Sequence, residues 1–188
     1  MSSSFFLRLS KNLLFLASIF ASTALVVADS LSELEEAFLG IDESASAARQ
    51  RLAVRRIIRD AEKALEQVGA NPIRWPILEF LFRAQQRLVA MDDDRKHRDL
   101  LVEISRKLVK APKEFAVHRL EADLLLSQIE QAQKGKDADR AESLLSFANR
   151  YIGTPADPKA LRTSIIMGLE MGDTRLVNKL RSIAAQQY

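Results

Sequence analysis

The 188 residues contain no cysteine and only two histidines, His97 and His118. Thiolate metal centres, thiol nucleophiles, disulfides and lipidated cysteines are therefore excluded, and no metal site is expected from two imidazoles. Asp92, Asp93, Asp94 and Asp99 invite comparison with a calcium loop. Such a loop turns at a glycine in its sixth place, and residues 96–101 supply none, so these acids are read as helix caps. Acid–base work would have to come from Glu121 with Asp123, or from Glu33, Glu35 and Glu36. Residues one or two apart on a helix do not face each other, and acids on solvated helix faces are commonplace. No Gly-x-Ser-x-Gly elbow, phosphate-cradling glycine loop or dinucleotide fingerprint occurs, and the six glycines are scattered. Without nucleophile, base and orienting group in one place, neither catalysis nor a cofactor is expected.

The chemistry the chain does offer is cationic. Arg49, Arg51, Arg55, Arg56 and Arg59 crowd one segment, and Arg51, Arg55 and Arg59 recur at the four-residue interval of one helix face. That stripe suits an anionic partner such as phospholipid head groups, an acidic protein surface or a polyanionic wall polymer. A solvated face opposite Leu52, Ile57 and Leu65, partly neutralised by Asp60 and Glu62, would have the same composition. Trp75, between Pro72 and Pro76, suits either packing over a helix end or anchoring a partner.

The elements that position these residues read as helices throughout. Glycine and proline are too few for the tight turns of an all-β chain, and apolar residues recur at intervals of three and four. Ser32 with Glu35 has capping-box form ahead of Leu34 and Phe38, and Gly40 ends a short first helix. A second is expected from Asp42 to Gly69, with Ala48, Leu52, Ile57 or Ile58, Ala61 and Leu65 on its buried side. A third starts at Pro76, where a missing amide is tolerated. Asp92, Asp93 and Asp94 close it and cap a fourth that runs to Pro112. Four more follow: one ending at Gly135, one from Asp137 to Gly153, one opening at Asp157-Pro158, and one after Gly172-Asp173. The fold class is all-α.

The first 28 residues read as an address. Arg8 and Lys11, with no acid nearby, precede an apolar stretch over residues 13–27. That stretch is too short and too diluted by Ser18, Ser22 and Thr23 for a membrane span of about 20 apolar residues. Small residues before Asp29 fit cleavage between Ala28 and Asp29, with a cut after Ala24 as the alternative and an uncleaved anchor as the competing reading. Residues 29–188 then form the mature protein, exported to a periplasm or the extracellular space without a stable membrane span. Loss of Arg8 and Lys11 leaves 26 basic against 25 acidic residues, so no electrostatic footprint for nucleic acid is expected.

The helices also repeat. Ala61, Leu65, Val68 and Pro72 correspond to Leu101, Ser105, Leu108 and Pro112 after 40 residues, Ala141, Leu145 and Ala148 follow after another 40, and Val177 and Ala184 recur after 36. Slots seven apart hold small or modest apolar residues, as close packing between helical hairpins requires. With Gly172-Asp173 as the inter-helix turn and Ala184 in a small-residue slot, residues 31–186 resemble the tetratricopeptide-repeat family. The family's large aromatic, Leu-Gly pair and tyrosine are missing from residues 125–132 and 161–168, and the spacing exceeds its usual length of about 34 residues.

The resemblance implies an α-solenoid of antiparallel helical hairpins, the alternative being an irregular helical bundle. It implies that Arg83, Arg87, His118, Arg119 and Arg162, on the first helices of successive hairpins, line a concave face that holds a protein or peptide. The expected function is therefore an exported, non-enzymatic interaction module. A helical envelope chaperone holding unfolded chains and an accessory to a cell-wall enzyme are the other readings.

Overall fold

Helices make up all the regular structure in a computed structural model that describes residues 31–134 and 137–187; no strand occurs among those residues. The export signal and the Ala28–Asp29 cleavage site lie outside the described residues. The chain divides into two compact units on either side of the Asp93–Asp94 bond.

In the first unit, residues 31–39 form α1, Ala47–Val68 form α2 and Arg74–Met91 form α3. Helix α2 starts later than Asp42 because that carboxylate closes a turn instead, accepting from the Ser44 amide at 2.9 Å and the Ser44 hydroxyl at 2.7 Å. Helix α3 starts before Pro76, which places Trp75 and Pro76 in its first turn. Helix α2 packs on α3 through Val54, Ile57, Ile58, Ala61 and Ala64. This corrects the expected stripe: Leu52 is 66% exposed and Ala48 is exposed as well. Leu52 precedes the buried Val54 by two positions, which puts it on the opposite side of the helix. Helix α3 buries residues on most sides, including Ile77, Phe80, Phe82 and Leu88, as expected of a central helix.

The second unit contains α4 (Arg95–Leu108), a 3-10 turn (Lys113–Phe115), α5 (Ala116–Lys134), α6 (Asp137–Tyr151), α7 (Asp157–Glu170) and α8 (Thr174–Gln187). Asp94 caps α4 by accepting from the Lys96 amide at 2.9 Å. Each helix packs on the next, and α8 also reaches α6. One core cluster joins Ala116 and Leu120 of α5, Phe147 and Tyr151 of α6, and Ala160 of α7. A second joins Leu144 and Ala148 of α6, Leu161 of α7, and Leu176 and Leu180 of α8. Phe147 and Tyr151 adjoin Leu144 and Ala148 on one face of α6, which serves both clusters.

The α7–α8 connection shows how sequence fixes a reversal. Gly172 adopts φ +70°, the Asp173 amide reaches back to the Gly168 carbonyl at 3.1 Å, and the Asp173 carboxylate caps α8 at the Leu176 amide at 3.0 Å. A Cβ on Gly168 would lie 3.1 Å from the Val177 side chain, so glycine there sets the closeness of the two helices. Gly168, late in α7, meets residues early in α8, while Leu161, early in α7, shares a core with Leu180. The pair is antiparallel.

Candidate functional site

Four of the five basic residues assigned to a ligand face are half-buried and engaged within their own unit. Arg83 and Arg87, one turn apart on α3, place their guanidinium carbons 5.8 and 5.1 Å from the centroid of the Phe38 ring of α1. Phe38 also meets Phe80 edge-on at 5.6 Å. In the second unit, Arg119 donates from Nη1 to the Ala111 carbonyl at 2.7 Å and lies 5.4 Å over the Tyr151 ring. The His118 ring sits 5.9 Å from that of Phe115. Glu114 and Glu121 flank His118 at helical spacing, but Lys159 holds Glu121 at 2.9 Å. Among the described residues no three His, Asp or Glu groups come together as metal ligands. Only Arg162 of the five is exposed.

The arginine stripe of α2 divides. Arg51 is half-buried, and Arg55 pairs with Asp92 at 3.3 Å. Arg59 is exposed, and the neighbouring Arg56 lies 3.9 Å from Asp60.

A polar network that sequence reasoning missed lies between α5 and α6. Asp123 receives two hydrogen bonds from Arg150, at 3.0 and 3.2 Å, and Arg150 also donates to Ser127 at 3.2 Å. The candidate pair Glu121 and Asp123 is thus drawn apart, one carboxylate to Lys159 and the other to Arg150. The four-residue interval between Asp123 and Ser127 was the available signal; the partner 23 to 27 residues away was not. Beside this network Tyr151 is completely buried. Its hydroxyl lies near Asp123 and Arg119 but makes no hydrogen bond of good geometry among the described residues.

Burial raises the Tyr151 pKa above its ordinary 10.0; Asp123 adds to the rise and Arg119 opposes it. The unfolded chain therefore releases this proton first as pH increases, so the folded state binds more protons above pH 10.0 and stability must fall there. We expect a loss of about 1.4 kcal/mol per pH unit through this one group, and Tyr151→Phe should remove it. Urea unfolding of both proteins across that range measures the difference, because other titrating groups contribute to both.

The second unit also exposes apolar surface. Ile166 is 45% and Leu169 55% exposed on α7, and they continue the face that begins with Arg162. Next to Leu169, a groove of about 270 Å³ runs along the α7–α8 turn, lined by Thr174, Val177, Asn178 and Arg181 among others. Such a surface offers apolar contact and positive charge together. No helix among the described residues is long and apolar enough to cross a membrane. Comparison with protein-family models, with curated proteins and with solved structures found no match to this chain.

Proposed function

We propose that the protein is an exported, non-catalytic module of stacked helical hairpins, tetratricopeptide-like in kind, that binds a protein or peptide partner. The observation that carries this reading is the face Arg162, Ile166 and Leu169. Positions i, i+4 and i+7 of one helix are all exposed, and two of them are large and apolar. Neighbouring exposed apolar residues beside a groove are what a soluble helix surface carries when it meets another chain. The consecutive packing of α4 to α8 supports the hairpin array, since each short connection returns the chain against the helix before it. The basic n-region and short apolar stretch of residues 1–28 support export.

The test is site-specific photo-cross-linking from position 169 in the native envelope, followed by mass spectrometry, with position 175 on α8 as the control. The expected result is a discrete adduct from position 169. Its partner, once purified, binds the unmodified protein and is lost on Arg162→Glu with Leu169→Asp. A broad, salt-insensitive set of unfolded clients would replace this reading with the chaperone. No adduct at position 169 would end it.

A further inference from the structure

Apart from the α7 surface, α2 carries a charged exposed face, and it differs from the stripe the sequence suggested. Arg49, Leu52, Arg56, Arg59 and Lys63 recur at intervals of three and four, and every one of them is exposed. Opposite them, Val54, Ile57, Ile58, Ala61 and Ala64 face inward. The outward line therefore carries four cations around one protruding leucine. It runs over the 15 residues from Arg49 to Lys63, about 21 Å of helix.

A leucine left 66% exposed among arginines gains nothing from the fold. The acids nearby neutralise the line only in part. Asp60 meets Arg56 at a loose 3.9 Å, and Lys63 borders a groove that also holds Glu33 and Asp60. Arg49 and Arg59 form no ion pair among the described residues.

We infer that this face of α2 docks on an anionic lipid surface, with the arginines among the head groups and Leu52 inserted at the acyl boundary. Charge complementarity selects the partner. Lipid head groups supply mobile negative charge along the whole line and need no matching arrangement of carboxylates. The same interface has an apolar layer just below the charges, which accepts one projecting side chain. An acidic protein would satisfy the arginines but would need its own apolar recess for Leu52. The inference does not rest on the peptide-binding role of α7, which is on a different helix and in the other unit.

The experiment is flotation of the full chain with phosphatidylcholine vesicles, alone or with phosphatidylglycerol, near physiological salt. The leader, with Arg8 and Lys11, is common to every variant, so its contribution cancels when variants are compared on the same vesicles. Anionic vesicles should bind the protein more tightly than neutral ones, with the difference lost at high salt. Each basic residue near an anionic leaflet strengthens binding about fivefold, so Arg49→Gln with Arg59→Gln should weaken it about 25-fold. Arg106→Gln with Arg175→Gln, which removes the same charge from exposed sites elsewhere, should leave binding unchanged. Tryptophan emission of Leu52→Trp should shift to the blue on anionic vesicles alone, after subtraction of the parent signal from Trp75. Circular dichroism checks that each variant is folded. Equal binding to both vesicle types, equal weakening by the two double variants, or an unshifted emission would overturn the inference. Polyglutamate competing with the vesicles while the emission stays unshifted would assign the face to an acidic protein.

Discussion

Tyr151→Ala should lower the unfolding free energy of the second unit by about 3–5 kcal/mol, the range for truncating a fully buried large aromatic. The ring is completely inaccessible, lies 5.2 Å from Phe147 and shares a core with residues of α5 and α7. Its removal would leave a cavity where three helices converge and would uncover the Arg119 guanidinium packed on its face. Tyr151→Phe keeps the ring and should change stability by no more than about 1 kcal/mol near neutral pH, because the hydroxyl makes no well-formed hydrogen bond to lose. Urea unfolding followed by circular dichroism compares the two. A similar loss in both variants would mean that the hydroxyl, and not the ring, holds this core.

In the first unit the corresponding position is Phe80. It is almost fully buried on α3 and meets Phe38 of α1 edge-on at 5.6 Å. Phe80→Ala should cost about 3–5 kcal/mol. Phe38→Ala should cost less, since that ring is only half-buried, although it also forfeits the contacts of Arg83 and Arg87. The double variant should show a coupling of about 0.5–1.5 kcal/mol between the two rings. Trp75, the sole tryptophan, stands in the first turn of α3, so its fluorescence reads this unit directly. Additive losses would show that α1 is held on α3 by something other than this aromatic pair.

The sequence by itself determined the all-helical class and the places where helices stop. Those are local properties. Asp94 caps α4 through an amide two residues away, and Gly172 and Asp173 turn the chain through bonds spanning five residues or fewer. Their effect can be computed from neighbours along the chain. Where a nearby side chain competed for the same backbone groups, as Asp42 does with Ser44, the helix start moved.

Tertiary structure decided which side of each helix faces inward and what each charged group touches. In α2 the packing on α3 buries Val54, Ile57, Ile58, Ala61 and Ala64, which keep intervals of three and four, while Leu52, five residues before Ile57, falls outside that stripe. That packing turns Leu52 and Arg59 outward together and sends Arg55 to Asp92, 37 residues along the chain. Asp123 likewise meets Arg150 across 27 residues, and Arg83 and Arg87 close on a ring from α1. Helical periodicity constrains a side chain's direction relative to its own axis but not the rotation of that axis against a neighbour, which the fit of both surfaces sets.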